Sequence, residues 1–253
     1  MSRIAPNAPD WLTARPIAHR GLHSRSNGII ENSISAAQAA VLHGFAIECD
    51  VQLSSDGEVF VFHDDTLDRV TAQSGRVDQT TAQDLGAAIL RGSSDTVPTL
   101  TRFLKALNGQ VPLICEIKSK FDGNTQIAAR VHDITLNYTG PLAFKSFDPA
   151  MLKALRALHC PRPLGFIGES TYDDPDWAFL STQQKRDLIS FTHYADTQPD
   201  FLSWWVRDLP NAATNLYRHA LSLPVMTWTV RTPAQRETAN QYASQMVFEG
   251  FVP

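Results

Sequence analysis

Hydrophobic and polar residues alternate with a period of two on either side of Asp56-Gly57, in the stretch ECDVQLSSDGEVFVFHDD at 48–65. That period predicts two strands joined by a turn. On the first strand Ile47, Cys49 and Val51 share one face and Glu48 and Asp50 the other, so burying the apolar face fixes where both acids point. Asp-Gly suits a two-residue hairpin turn, which needs positive φ at both residues. With Asp56 and Gly57 as that turn, Ser55 faces Glu58 and, counting outward, Asp50 faces His63. The segment LICEIK repeats the arrangement: Leu113, Cys115 and Ile117 on one face, Ile114, Glu116 and Lys118 on the other.

Elsewhere short apolar runs alternate with helical spacing. The run 16–19 ends in His19-Arg20-Gly21, as a barrel strand running into an active-site loop would. Glu31-Asn32-Ser33 then opens the helix ISAAQAAVLH, with Asn or Ser as its cap and Gly44 as its stop. Leu100, Phe103, Leu104 and Leu107 follow i, i+3, i+4, i+7 spacing, and Asn108-Gly109 ends that helix. Further helices are predicted near 124–136, from Asp148-Pro149, near 210–221 and from Thr232-Pro233, with helical material through Trp204 and Trp205. Strands are predicted at Ile17, Phe45, Leu113, Leu142, Leu164, Leu188, Val225 and Met246. Eight strands alternating with helices predict an α/β fold, a TIM (β/α)8 barrel spanning 1–253 as a single domain, with its site at the C-terminal ends of the strands. The hairpin extends the second strand. Together with the polar, irregular stretch 66–97, broken by Gly75, Gly86 and Gly92, it forms an insertion at about 51–97 that serves as a functional loop or lid. No eighth helix follows the last strand, so either the N-terminal segment with Trp11 and Leu12, or a partner subunit of a homo-oligomer, is expected to cover it.

Composition narrows the partner. With 253 residues, 43% hydrophobic and 19% charged, the chain can bury a sizeable core, which excludes the disordered and disulfide-stapled classes. A net charge of −4 without Lys/Arg runs gives no footprint for nucleic acid or an anionic membrane, so a small molecule is expected. Three cysteines without CxxC spacing suggest neither a disulfide framework nor a zinc knuckle, and Cys49 and Cys115 read as buried thiols. Residues 1–15 hold no signal-peptide core and no 18-residue apolar stretch occurs, predicting a cytoplasmic protein without stable membrane insertion.

Six signatures in order carry a resemblance. His19-Arg20-Gly21, Glu31-Asn32-Ser33, Glu48-Cys49-Asp50-Val51, Asp56-Gly57, His63-Asp64-Asp65 and Glu116-Ile117-Lys118 resemble the HRG, PENT, ELDV, DG, HDD and EIK motifs of the glycerophosphodiester phosphodiesterases, in the phospholipase-C-like TIM-barrel superfamily. Ser146-Phe147 and Trp228-Thr229-Val230 are weaker matches, with Arg231 where the family has asparagine. The closing TDYP motif is nearly unrecognisable in FEGFVP, where Glu249 is the candidate for the aspartate.

The resemblance implies metal-dependent hydrolysis of glycerophosphodiesters to glycerol phosphate and an alcohol, with deacylated phospholipid head groups as substrates. It implies that Glu48, Asp50 and Glu116 bind one divalent cation, that His19 and His63 are the acid–base pair, and that Arg20 and Lys118 contact phosphate. Three carboxylates without histidine or thiolate form a hard oxygen site, suiting Mg²⁺ or Ca²⁺ better than zinc. The sequence leaves open which histidine is the acid, and whether water or a glycerol hydroxyl of the substrate attacks. Glu31 and Asn32 read as a helix entrance that supports the metal site, and Phe147 and Trp228 as packing or pocket aromatics. Trp204, Trp205 and Tyr217 read as helix packing. The alternatives are a lysophospholipase-D or phospholipase-like phosphodiesterase and a non-catalytic phosphodiester-binding barrel.

Overall fold

The computed structural model describes residues 6–253. Nine strands form one sheet: β1 (Ile17–Ala18), β2 (Ala46–Leu53), β3 (Val59–Val61), β4 (Leu113–Ile117), β5 (Leu142–Ser146), β6 (Leu164–Gly168), β7 (Phe201–Trp205), β8 (Val225–Val230) and β9 (Gln245–Phe248). All except β3 run parallel, and β1 pairs with both β2 and β9, which closes an eight-stranded TIM barrel. β3 pairs antiparallel with β2 outside the ring. Helices lie between the strands, and side-chain oxygens cap several of them. Ser33 accepts from the amide of Ala36, Thr99 from that of Arg102 and Asp148 from that of Ala150, while Thr232 and Gln235 form a capping box.

Alternation along each strand divides the core in two. Ile47, Cys49, Val51, Leu113, Cys115 and Ile117 point outward into the layer between barrel and helices. Inside, Ile17, Ala46, Ile114, Ala143, Phe201, Met226 and Val247 form an apolar floor, one from each of the eight barrel strands but β6. β6 supplies Gly165 there, because a Cβ at that position would lie 2.2 Å from the Phe201 ring. Each large side chain buried in this floor contributes roughly 1.5–3 kcal/mol. The next inward positions stand above it and carry the polar chemistry.

Four expectations change. Leu12 belongs to the floor, so the N-terminal segment plugs the bottom of the barrel. The outer face of β9 is covered instead by Phe45 and Phe251, whose rings lie 5.1 and 5.5 Å from that of Phe248. The predicted strand at 188–193 is instead the end of the helix Thr182–Ile189, which starts with a Ser181–Gln184 capping box, and the turn that follows it. The seventh strand is Phe201–Trp205, rich in aromatic β-formers, so Trp204 and Trp205 are strand residues. The hairpin loop has three residues, not two: the Ser54 amide donates to the Glu58 carbonyl at 2.9 Å, and Gly57 alone takes positive φ, +85°. Val51 therefore pairs with Val61, and Asp50 lies opposite Phe62 rather than His63. Finally, 66–97 is not irregular. It holds the helix Ala82–Ala87 and a core of its own, in which Leu67, Val70, Val77, Leu85, Leu90 and Val97 pack on Phe60 and Phe62 of the hairpin. No helix among the described residues is long and apolar enough to cross a membrane.

Candidate active site

Directly above the floor, inward positions of β2 and β4 bring Glu48, Asp50 and Glu116 together. Their carboxylate oxygens lie within 4.8 Å of one another, and the residues are 1%, 1% and 7% exposed. Three buried like charges are costly unless opposed. Lys118 Nζ donates to Glu116 at 3.1 Å and lies 3.8 Å from Asp50, and Arg20 Nε lies 3.5 Å from Asp50. Asn32 donates to Asp50 at 2.9 Å, and the Arg20 amide donates to Glu48 at 3.1 Å. The sequence reading missed a third cation. Lys145 on β5, 2% exposed, places Nζ 3.0 Å from Glu48 Oε1 and 3.7 Å from Glu116 Oε2. Burial raises the Asp50 carboxyl, but His63, Arg20 and Lys118 outweigh it and hold it far below the usual range. Burial lowers the Lys145 ammonium, but Glu48 and Glu116 raise it further and keep it charged.

Both histidines are anchored the same way. His19 Nδ1 is hydrogen-bonded to Glu249 at 2.5 Å, and His63 Nδ1 to Asp64 at 2.8 Å. Burial pushes the Glu249 carboxyl up, yet the bonds from His19 and Arg231 pull it well below the usual range. Asp64 is held low against burial by His63 and Arg69. An ionised carboxylate only accepts, so each Nδ1 donates and each Nε2 is left as the ring's other site for a proton. His19 Nε2 lies 3.9 Å from Glu48. Arg231 grips Glu249 from the other side at 3.0 and 3.1 Å.

Glu31 and Asn32 both reach this network. Arg20 bonds Glu31 at 2.6 Å, and Arg69 of the insertion bonds both Glu31 and Asp64 at 2.6–2.8 Å. Burial raises Glu31, but the two arginines bring it down to about 2. The loop between β1 and the helix Ile34–Leu42 takes left-handed backbone near both ends, where Arg20 and Asn32 have φ of +56° and +57°. Gly21, at φ +80°, cannot be replaced cheaply, since a Cβ would lie 2.8 Å from that of Ala36.

The other side of the mouth is aromatic. Phe147, the next inward position above Lys145, lies 5.5 Å edge-on from Trp228 and 4.8 Å from Trp177. Trp205 pairs in register with Trp228 and stands on the same inward face. Lys145, Glu249 and Trp205 were all legible in principle from alternation with Ala143, Val247 and Phe201. Arg69 comes from an insertion without a period, and nothing local points to it.

The donor set suits a hard divalent cation: three buried carboxylates, with no histidine or thiolate among them. The profile of the glycerophosphoryl diester phosphodiesterase family matches residues 19–251. YhdW of Bacillus subtilis, provisionally named a glycerophosphodiester phosphodiesterase, is 30% identical over 189 residues, 71% of this chain and 74% of its own. The glycerophosphodiester phosphodiesterase of Caldanaerobacter subterraneus subsp. tengcongensis is 38% identical over 111 residues, 41% of this chain and 44% of its own. In fold, the chain is similar to an Oleispira antarctica phosphodiesterase solved with the product sn-glycerol-3-phosphate, with a TM-score of 0.75, 22% identity and coverage of 94% of this chain and 93% of that one. A Thermotoga maritima glycerophosphodiester phosphodiesterase gives a TM-score of 0.69 at 20% identity, covering 92% of each chain. The chain belongs to the glycerophosphoryl diester phosphodiesterase family and is an enzyme of the phosphodiester hydrolase class.

Proposed function

We propose that this enzyme cleaves glycerophosphodiesters to glycerol phosphate and an alcohol at one cation site, with His19 and His63 moving the protons. The observation that carries the reading is the convergence of three buried carboxylates with two histidines, each anchored to an acid through Nδ1. Glu48, Asp50 and Glu116 would hold Mg²⁺ or Ca²⁺, which when bound neutralises phosphate charge and polarises the phosphorus centre. Arg20 offers the phosphodiester a planar fork, and Lys118, 26% exposed, a point charge that its ion pairs hold at the rim. One histidine takes the proton of the attacking oxygen and the other protonates the leaving alkoxide, each step worth roughly 10²–10⁴-fold. The matching anchors suit either ring to either role.

Residues 1–253 work as one barrel domain in this reading, with the insertion as part of the machinery, because its Arg69 fixes Asp64 and through it His63. The Oleispira antarctica structure with bound sn-glycerol-3-phosphate supports the same product here. The test is ³¹P NMR of glycerophosphocholine turnover with Mg²⁺ or Ca²⁺ present. Glycerol phosphate and choline are expected; phosphocholine, or no cleavage of any glycerophosphodiester by folded, metal-binding protein, overturns the reading.

A further inference from the structure

The charged groups of β1, β2, β4, β5 and β9 account for the phosphate and leave unused the wall built by β6, β7, β8 and the loop after β6. Glu169 follows β6 at the inward parity set by Gly165, which pairs with Lys145. It is 6% exposed, its Oε1 has no hydrogen-bond partner, and it makes no ion pair with a cation among the described residues. Trp177 hydrogen-bonds it. Burial raises the Glu169 carboxyl to about 7, against that bond and with help from Asp208, Asp174 and Asp173. A buried acid raised this way lacks a counter-ion.

Trp177 is also the hub of an aromatic shelf. Its ring lies 4.8 Å from Phe147, 5.2 Å from Tyr172 and 6.2 Å from Phe121, and Phe147 in turn lies 5.5 Å from Trp228. Trp177, Phe147 and Trp228 are all partly exposed. The shelf begins one inward position above Lys145, whose Nζ touches Glu48 and Glu116, so it adjoins the place proposed for the phosphate.

We propose that this wall is a subsite for a cationic alcohol, with the faces of Trp177, Phe147 and Trp228 holding an alkylammonium group and Glu169 as its counter-charge. The proposal rests on the phosphodiesterase reading and names the substrate class. Ring faces attract quaternary ammonium groups through their quadrupoles, and a desolvated carboxylate beside them adds a full charge. A neutral polyol leaves Glu169 unpaired, and an anionic head group meets Glu169, Asp173, Asp174 and Asp208 together. Arg207 lies over Trp205 at 5.4 Å and pairs with none of these acids.

The experiment titrates wild-type enzyme and Glu169→Gln with choline chloride, read by tryptophan fluorescence, with glycerol as the neutral control. It then compares kcat/KM for glycerophosphocholine with that for glycerophosphoglycerol. Saturable quenching by choline but not glycerol is expected, weakened about 10-fold or more in E169Q, with the choline-over-glycerol preference in kcat/KM falling by a similar factor. No quenching by choline in wild-type enzyme that turns over glycerophosphodiesters overturns the subsite alone, as does an E169Q preference equal to wild type. Choline binding without turnover of either diester overturns the phosphodiesterase reading and leaves the subsite standing.

Discussion

Two acids on opposite sides of the barrel mouth show how environment sets charge. Glu31, gripped by Arg20 and Arg69, is brought down to about 2; Glu169, buried beside Trp177 with no cation, is raised to about 7. The same contrast holds for whole walls. On the charged side every acid has a partner: Glu48 has Lys145, Glu116 has Lys118, Asp50 has Arg20 and Asn32, and Glu249 has His19 and Arg231. On the aromatic side the rings are paired with one another and the acid is left over. In the proposed reading the charged wall serves a dianionic transition state and a cation, and the aromatic wall a group that the protein itself does not supply.

If the division is right, substitutions in the charged wall strike chemistry and metal binding, while those opposite change only substrate choice. The largest effect is expected from His19→Ala, with kcat down roughly 10²–10⁴-fold while metal affinity by calorimetry and the far-UV spectrum stay as in wild type. Turnover within a few-fold of wild type would remove His19 from the proton transfers. Glu116→Gln should lower metal affinity and turnover together, and unchanged calorimetric affinity would deny it a ligand role. Lys145→Met removes the buried counter-charge of Glu48. Denaturant titration should then show the metal-free protein destabilised by about 3–5 kcal/mol, with Mg²⁺ or Ca²⁺ restoring much of the loss. Equal stability with and without metal would mean that Lys145 does not substitute for the cation's charge.

The smallest effect concerns pH. The Glu31 carboxyl is depressed in the folded state from 4.5 to about 2, so its ion pairs stabilise the protein fully above about pH 4.5 and that contribution fades as pH falls toward 2. Thermal melts of Glu31→Gln should therefore lie below wild type at pH 7, with the gap narrowing below about pH 4.5 and closing only near pH 2. A gap that stays constant with pH would show that the loss comes from packing.

Much of this division was legible in the sequence. Alternation placed Glu48, Asp50 and Glu116 inward because the opposite faces of β2 and β4 are uninterrupted Ile, Cys, Val and Leu, and cap residues located most helices. Lys145 escaped because a single charge in LAFKS reads as a tolerated exception in an apolar strand, although Ala143 shares its face. The seventh strand was misplaced because the apolar end of the Thr182–Ile189 helix resembles a strand when its Ser181 cap is overlooked. Leu67, Val77, Leu85 and Leu90 come from isolated bridges, a 3₁₀ turn and one short helix, so the insertion's core has no single period to read. Glu169 stands past the end of a strand, and its isolation is a property of what surrounds it in space.

A cation-dependent phosphodiesterase centre in the charged wall requires that turnover follow the metal. Its most direct test is glycerol phosphate release from glycerophosphocholine and glycerophosphoethanolamine, measured after EDTA treatment and again with Mg²⁺ or Ca²⁺ restored. Activity lost to EDTA and recovered with one of these cations is the predicted result; turnover that survives complete metal removal would contradict it.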